Sequence, residues 1–299
     1  MQQTDLGVKK GVNQWSFDES MSLKEIFEFS KQSGYDGVEM TLAATGSLSM
    51  STSDKELAQI RDLATECGIV INSVATGLFW QFSLTSNRAD IRQKALDVVK
   101  REVEVAQALG ADCVLVCPGT VGVDFAPDEV VPDAHLIEFF AGSEVISYEV
   151  AYERSQEALL KASLWAKECQ VAIGVENIWN KFLLSPLEFK TFVDQINSEW
   201  VGVYLDVANM LAYGYPEQWL RILKERIKRI HLKDYRRKVG TLEGFVPLLA
   251  GDVNWPEVAA AVKEIGYSGW VNAEIVPQYA FHPLELVKST SLAIDAIFG

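Results

Sequence analysis

Residues 171–177 read VAIGVEN, and three later segments of the chain share the same pattern. Each segment is a short run rich in Val and Ile that carries a carboxylate or an imidazole near its C-terminal end. Short apolar runs followed by helix-like sequence are typical of buried parallel strands. The other three segments are VGVYLDVAN at 201–209, IKRIHLKDY at 227–235 and WVNAEIV at 270–276. We therefore predict neighbouring parallel strands whose polar side chains meet at one edge.

The alternation of strand and helix extends along the whole chain. Strands are predicted near 8–14, 37–41, 69–76, 113–117, 171–176, 201–206, 227–232 and 270–275. Helical periodicity is predicted over 23–34, 54–68, 89–110, 152–169, 186–197, 216–226, 256–266 and 283–298. Glycines stand where helix C-caps are expected, at Gly34, Gly68, Gly110 and Gly266. The longest irregular stretch, 120–147, is predicted to be a rim loop.

Eight strand–helix units in succession predict a (β/α)8 barrel, and we expect residues 1–299 to form one such domain. In barrels of this kind the active site lies at the C-terminal ends of the strands. A doubly wound open sheet is the alternative. No GxGxxG motif follows the first predicted strand, so dinucleotide binding is not indicated.

Composition narrows the class of protein. The chain has 299 residues, 48% of them hydrophobic, which is enough for a large core. A formal net charge of −14 opposes binding to nucleic acid or to anionic lipid. No run approaches the roughly 18 apolar residues of a membrane helix, and the N-terminal sequence lacks the apolar core of a signal peptide. We expect a cytoplasmic protein whose four cysteines are reduced.

The polar strand-end residues predict a metal site. They lie on predicted strands five to eight, which are spatial neighbours in a barrel, and they are Glu176, Asp206, His231 and Glu274. Three carboxylates with one imidazole favour a hard divalent cation such as Mn²⁺, Mg²⁺ or Co²⁺. A structural zinc site would contain thiolates or more histidines. We expect the site to bind one divalent cation. Mn²⁺ is the first choice, and Mg²⁺, Co²⁺ and Zn²⁺ are the alternatives.

Such a site can move a proton beside a carbonyl group. A cation that binds adjacent carbonyl and hydroxyl oxygens of a ketose acidifies the neighbouring C–H and stabilises the enediolate. Glu176 and Glu274 would face the substrate from opposite sides, so that one removes the proton and the other returns it. Two opposed bases suit epimerisation, whereas one base with a shuttled proton suits aldose–ketose isomerisation.

Several motifs resemble those of the sugar isomerase/epimerase superfamily of xylose isomerase-like barrels, which includes ketose 3-epimerases. The resemblance covers essentially the whole chain. Its most specific pieces are GVEM at 37–40, VE at 175–176, LDVAN at 205–209, HLKD at 231–234, GDVNW at 251–255 and AEI at 273–275. The resemblance implies that Glu176, Asp206, His231 and Glu274 bind a divalent metal and that Glu176 and Glu274 transfer the proton.

The resemblance also suggests substrate-binding residues. Arg237 falls where ketose 3-epimerases place an arginine that holds substrate oxygens, and its fork of donors suits that task. Asn209, three residues after Asp206, resembles the pentulose-5-phosphate 3-epimerase branch and favours a phosphorylated substrate. Free-ketose epimerases instead place a Glu near Phe182–Leu183, which disfavours a free hexulose.

Four further residues are candidates because of their position near strand ends. Trp15 and Trp179 follow strands one and five, where flat aromatic faces can pack against sugar C–H groups. Lys233 follows the candidate ligand His231 and can neutralise an enediolate or balance the carboxylates. Glu39, at the end of strand two, is expected to orient a ligand or to pair with Lys233.

Together these features predict a metal-dependent isomerase or epimerase that acts on a ketose or a ketose phosphate. An aldose–ketose isomerase of the hydroxypyruvate isomerase type and an inosose-type dehydratase are alternatives within the same chemistry. A non-catalytic carbohydrate-binding barrel is the alternative of another class. We expect a small-molecule partner, no nucleic acid and no membrane, with a homodimer and a homotetramer both left open.

Overall fold

Eight parallel strands close into a barrel in the computed structural model, which describes residues 7–123 and 144–299. The strands follow one another around the barrel in chain order, and the last pairs with the first. They are β1 Lys9–Asn13, β2 Gly37–Thr41, β3 Val70–Ala75, β4 Cys113–Val116, β5 Ala172–Glu176, β6 Val201–Asp206, β7 Ile227–Leu232 and β8 Trp270–Ala273. The predicted (β/α)8 barrel is confirmed, and the open doubly wound sheet is wrong because pairing of β8 with β1 leaves no free edge.

A helix follows each strand and covers the outside of the barrel. The helices are α1 Leu23–Gln32, α2 Asp54–Glu66, α3 Ala89–Leu109, α4 Tyr148–Cys169, α5 Pro186–Ile196, α6 Pro216–Leu223, α7 Trp255–Glu264 and α8 Pro283–Phe298. Local sequence explains several of their ends. Ser22 and Ser53 form capping boxes with the glutamates three residues later. The four predicted C-cap glycines all have positive φ, between 67° and 86°.

Two helix boundaries differ from the prediction by more than two residues. Helix α4 begins at Tyr148, four residues before the predicted start. Helix α6 ends at Leu223 and is followed by a 3-10 turn, because Lys224 adopts φ 44° and leaves the α-helical region. Most of the rim loop predicted over 120–147 lies outside the described residues. None of the described helices is long and apolar enough to cross a membrane.

Strand register brings the polar strand-end residues to the same rim. Glu176 and Asp206 are the last residues of β5 and β6, and Glu274 follows the last residue of β8. Asp206 is the register partner of His231 on β7, and His231 is in turn the partner of Asn272 on β8. Because the strands are parallel, all these positions lie at the C-terminal end of the barrel.

The interior below this rim contains polar side chains. Nδ2 of Asn72 on β3 donates to Oδ1 of Asn272 across the barrel at 2.7 Å. Gly11 on β1 leaves the space for this pair, because a Cβ there would lie 1.8 Å from Oδ1 of Asn272. Arg229 on β7 extends the polar layer downward and pairs with Asp112.

A short hairpin follows β7 and was not predicted. Residues Asp234–Tyr235 pair antiparallel with Phe245–Val246. The Asp234 carboxylate fixes the segment that connects the hairpin to α7. It accepts hydrogen bonds from the backbone N–H of Leu249 at 3.0 Å and from Nε1 of Trp255 at 3.0 Å. The hairpin therefore forms a fixed wall at the rim beside His231.

Glu102 on α3 is a buried carboxyl group outside the rim. Its side chain has no exposed surface, and neither of its oxygens has a hydrogen-bond partner among the described residues. Burial, with a contribution from the negative charge of Glu39, raises the pKa of Glu102 well above its usual value. A carboxyl with a raised pKa in the folded state favours folding below the pKa of the unfolded chain and opposes it progressively as the pH rises.

We predict that Glu102→Gln flattens the pH dependence of stability. In the wild type, the contribution of Glu102 alone should lower the free energy of unfolding by up to about 1.4 kcal/mol per pH unit. This fall extends from pH 4.5, the usual pKa of the group, up to its raised pKa in the folded state. Urea unfolding from pH 5 to pH 8 measures the slope. Asp97→Asn, an exposed position on the same helix, is the control and should keep the wild-type slope. Equal slopes in Glu102→Gln and the wild type would contradict the prediction.

Candidate metal and active site

The four predicted ligand residues converge at the C-terminal rim of the barrel. One ligand atom from each residue can be chosen so that all four lie within 4.8 Å of one another. Three of the residues are buried and Glu274 is nearly so, with 11% of its side chain exposed. We call these residues the rim cluster: Glu176, Asp206, His231 and Glu274.

The imidazole of His231 is held in one orientation by Glu39. Its Nε2 donates to Oε1 of Glu39 at 2.7 Å in a fully buried contact. Its Nδ1 therefore faces the cluster, 3.0 Å from Oε2 of Glu274 and 3.5 Å from Oε1 of Glu176. A histidine whose second nitrogen binds a carboxylate is the usual arrangement around protein metal ligands.

Glu39 is itself fixed by the polar interior of the barrel. Its carboxylate accepts from Oγ of Ser73 at 2.6 Å and from Nδ2 of Asn272 at 3.4 Å. Asn13 and the hydroxyl of Tyr204 also donate to it. Glu39 therefore fixes the orientation of His231, and the expectation that it orients a metal ligand stays a prediction.

Asp206 presents one oxygen to the cluster and uses the other to shape the following turn. Its Oδ1 accepts from the backbone N–H groups of Ala208 and Asn209, both at 2.8 Å. The Asn209 side chain then reaches back, with Nδ2 at 2.9 Å from the carbonyl oxygen of Asn177 and 3.4 Å from Oε1 of Glu176. Asn209 thus lies beside the cluster.

Unsatisfied atoms show that the rim cluster suits a cation. Oδ2 of Asp206, Nδ1 of His231 and Oε2 of Glu274 are buried, and none has a hydrogen-bond partner among the described residues. Their close contacts are ionic: Nζ of Lys233 lies 2.8 Å from Oε2 of Glu274 and 3.2 Å from Oδ2 of Asp206. Buried atoms that have ionic contacts but no well-directed hydrogen bond are incompletely satisfied, and a bound ion would supply the missing contacts. Oxygen-rich donors of this kind fit a hard divalent cation.

The two glutamates of the rim cluster differ in proton affinity. Burial raises the pKa of Glu176 to about 7. Burial opposes ionisation of Glu274 as well, but the charges of Lys233 and His231 outweigh it and hold its pKa below the usual value. Burial would lower the pKa of His231, yet Glu39 and Glu274 raise it well above 6.5. A bound cation would favour the deprotonated form of every ligand.

The structure places Lys233 and Asn209 in contact with the rim cluster, whereas the described contacts of Arg237 and Trp15 are with other residues. The guanidinium of Arg237 lies 4.9 Å from the ring centre of Tyr215, and its backbone N–H donates to Asp252. The backbone N–H of Trp15 donates to Oδ1 of Asn13, and its carbonyl accepts from Gln278. Roles for Arg237 and Trp15 in substrate binding stay predictions.

Trp179 lies at the wall of a cavity next to the rim cluster. Its ring centre is 5.7 Å from that of Tyr235 and 6.0 Å from that of Phe245 in the hairpin after β7. The Nζ atom of Lys233 lies 4.9 Å from the Phe245 ring centre. Trp179, Tyr235 and Phe245 thus form an aromatic layer that contacts the ammonium group of Lys233.

Tyr204 and Asn272 are site residues that the sequence-based prediction missed. Nδ2 of Asn272 lies 2.6 Å from the hydroxyl of Tyr204, and both contact Glu39. Each stands two residues before a cluster residue, Asp206 or Glu274. Side chains two apart on a strand share a face, so this spacing could have identified both as inward-facing.

The comparisons with known proteins agree with this architecture. A family model described as xylose isomerase-like TIM barrel matches residues 27–292. Among solved structures, D-psicose 3-epimerase from Clostridium cellulolyticum H10 superimposes with a TM-score of 0.75 at 17% identity, covering 97% of this chain and 99% of that one. An L-ribulose 3-epimerase gives a TM-score of 0.76 at 14% identity, covering 97% and 94%. These structural likenesses support the fold.

Sequence relatives span most of both chains. The putative L-ribulose-5-phosphate 3-epimerase SgbU of Escherichia coli (strain K12) is 25% identical over 292 residues, 93% of each chain. The L-ribulose-5-phosphate 3-epimerase UlaE of Salmonella paratyphi C is 22% identical over 262 residues, 87% of this chain and 84% of the relative.

We predict that Glu39→Gln weakens binding of Mn²⁺ about 10- to 100-fold, because His231 loses the carboxylate that orients it and increases its basicity. Calorimetric titration of the metal-free protein with Mn²⁺ measures the effect. Glu102→Gln is the matched control, since it makes the same change at a buried glutamate outside the rim cluster. A dissociation constant unchanged in a folded Glu39→Gln variant would contradict the orienting role.

Proposed function

Because the chain belongs to the xylose isomerase-like TIM barrel family, we propose that it is a divalent-metal-dependent enzyme of the isomerase class. Its proposed reaction is epimerisation of a ketose or a ketose phosphate at the carbon next to the carbonyl group. We further propose that residues 1–299 act as one barrel domain. The proposal rests above all on the convergence of four strand-end ligand residues with unsatisfied buried atoms.

The metal would be held by the rim cluster. Bound there, a divalent cation would polarise the carbonyl group of the substrate and stabilise negative charge on its oxygens. We propose Mn²⁺ as the native ion, since three carboxylates and one imidazole suit it. The four side chains project from four consecutive strands, so the rigid barrel fixes their positions before substrate binds.

Glu176 and Glu274 are the proposed proton-transfer groups. They project from β5 and from the end of β8, with β6 and β7 between them, and both carboxylates approach Nδ1 of His231, Glu176 at 3.5 Å and Glu274 at 3.0 Å. A substrate carbon between them can lose its proton to one carboxylate and receive a proton from the other on the opposite face. This exchange of faces inverts the carbon, which is the outcome of an epimerase.

Lys233 and Asn209 have supporting roles in this proposal. The ammonium group of Lys233 contacts Asp206 and Glu274, where it limits repulsion between the carboxylates and lies close enough to stabilise an enediolate oxygen. The Asn209 amide lies 3.4 Å from Oε1 of Glu176 and would hold that carboxyl group in place.

The relatives support epimerisation over the neighbouring reactions. SgbU and UlaE carry names of L-ribulose-5-phosphate 3-epimerases, and both align over more than four-fifths of this chain. Two glutamates on separate strands, β5 and the end of β8, also provide the two proton-transfer groups that inversion requires. Product analysis separates the rivals, because an aldose–ketose isomerase yields an aldose and a dehydratase releases water.

We predict that Glu176→Gln and Glu274→Gln each slow exchange of the substrate C–H proton by at least about 100-fold, because an amide cannot take up the proton. The exchange is measured as incorporation of deuterium from D₂O into a panel of ketoses and ketose phosphates. The reactions contain added Mg²⁺ or Mn²⁺, and NMR and mass spectrometry detect the deuterium.

The control for these variants is Glu157→Gln, an exposed position on α4. It should exchange at the wild-type rate. Metal content must be measured in each variant, so that a lost base is distinguished from a lost cation. Full exchange in either cluster variant with metal bound would reject the two-glutamate mechanism, and absence of bound metal in the purified wild type would favour a non-catalytic carbohydrate-binding barrel.

A further inference from the structure

A cavity of about 500 Å³ opens at the rim beside the cluster. Its described walls come from the segment after β5, the segment after β6 and the hairpin loop after β7. The same three strands carry Glu176, Asp206 and His231. The volume falls within the range of small-molecule sites. The cavity is therefore large enough for a ligand group in addition to whatever binds at the cluster.

The cavity lies within reach of the reaction centre. Ile178 on its wall is two residues beyond Glu176, so their Cα atoms are at most about 7 Å apart. Trp179, the next wall residue, packs on Phe245, above whose ring Nζ of Lys233 lies. A ketose whose carbonyl lies at the cluster would direct its other end along this aromatic layer toward the cavity.

The described walls are mainly apolar and aromatic. Leu184, Tyr213 and Leu242 line the cavity and remain 44%, 48% and 36% exposed. The indole nitrogen of Trp179 is covered, so the exposed part of this residue offers no N–H donor. Exposed apolar side chains gathered on one concave surface indicate a binding site. Flat aromatic groups beside aliphatic ones suit the C–H faces of a sugar ring.

Charge argues against a phosphate group in this place. The described walls contain one lysine, Lys181, and one glutamate, Glu243. A hydrogen bond from the Thr241 hydroxyl lowers the pKa of Glu243, so this carboxylate is ionised at neutral pH. A phosphate dianion is usually bound by several cationic or N–H donors, whereas here one carboxylate offsets the one ammonium group.

We propose that this cavity is a subsite for an uncharged ring, such as a glycosyl group, attached to the ketose at the end remote from its carbonyl. The substrate would then be a glycosylated keto-sugar rather than a pentulose phosphate. This inference rests on the proposed function for the position of the ketose. The cavity itself can be tested by binding alone.

The test compares three ligands that differ only at one oxygen. Fructose, fructose 6-phosphate and isomaltulose carry hydrogen, a phosphoryl group and a glucosyl group on O6. Calorimetry with the Mn²⁺-loaded protein gives each dissociation constant, and deuterium incorporation in D₂O is measured separately. We expect isomaltulose to bind at least tenfold more tightly than either other ligand.

Two variants probe the cavity. Ala212→Trp fills it from an exposed wall position and should reduce the preference for isomaltulose over fructose at least tenfold. Leu242→Arg adds a cation to the wall and should shift the preference toward fructose 6-phosphate, which provides a second measurement if the first variant does not fold. Leu164→Trp, at a position 66% exposed on α4, is the control and should preserve the wild-type preference.

The outcomes separate the two proposals. The subsite proposal would be overturned if fructose 6-phosphate bound most tightly or if isomaltulose and fructose bound equally well. It would also be overturned if both cavity variants folded and kept the wild-type preference. Tight, variant-sensitive binding of isomaltulose without proton exchange would support the subsite and count against the proposed reaction. Proton exchange on fructose 6-phosphate, together with no gain in affinity from the glucosyl group, would support the proposed reaction and count against the subsite.

Discussion

The position of the candidate site depends on the hydrogen bonds that the Glu39 carboxylate accepts. This carboxylate is fully buried on β2 and accepts hydrogen bonds from side chains on five other strands of the barrel, namely Asn13, Ser73, Tyr204, His231 and Asn272. A single charged group therefore ties six of the eight strands together just below the rim. Removing one partner of such a buried pair commonly costs about 3–5 kcal/mol, because the other charge stays buried. The orientation of His231 is thus coupled to closure of the barrel.

This arrangement leaves the rim cluster with excess negative charge. Glu39 and the three carboxylates of the cluster face one ammonium group, from Lys233, and one imidazole, from His231. Among the residues that the structure describes, four acidic groups face two positive charges even with the imidazole protonated. Burial raises the pKa of Glu176 to about 7, and the negative charge of Glu274 adds to the shift, so protonation of Glu176 relieves part of the repulsion. A divalent cation would relieve it more completely, because it would supply two positive charges and contact the atoms that lack hydrogen bonds.

The sequence predicted the strands well because buried parallel strands have a strong local pattern. The strand over 37–41 was placed without error, and the four cluster residues could be grouped because consecutive barrel strands are neighbours. Contacts across the barrel were harder to predict. Neither the pairing of Asn72 with Asn272 nor the space that Gly11 leaves for it follows from one strand alone. Such contacts depend on the stagger between strands, which only the closed structure fixes.

The candidate ligand residues lie at strand ends, whereas loop segments form the cavity, and this difference explains why the substrate is harder to predict than the class of reaction. The cluster side chains lie at strand ends, where the barrel holds them rigidly and where local sequence patterns identify them. The cavity is formed by loop segments, among them the one that begins at Ile178 and the hairpin loop that contains Leu242. Loops vary in length and composition without disturbing the barrel, so one set of strand ends can serve many ligands. The strand ends predict proton transfer beside a carbonyl group, whereas the shape and charge of the cavity follow only from the three-dimensional structure.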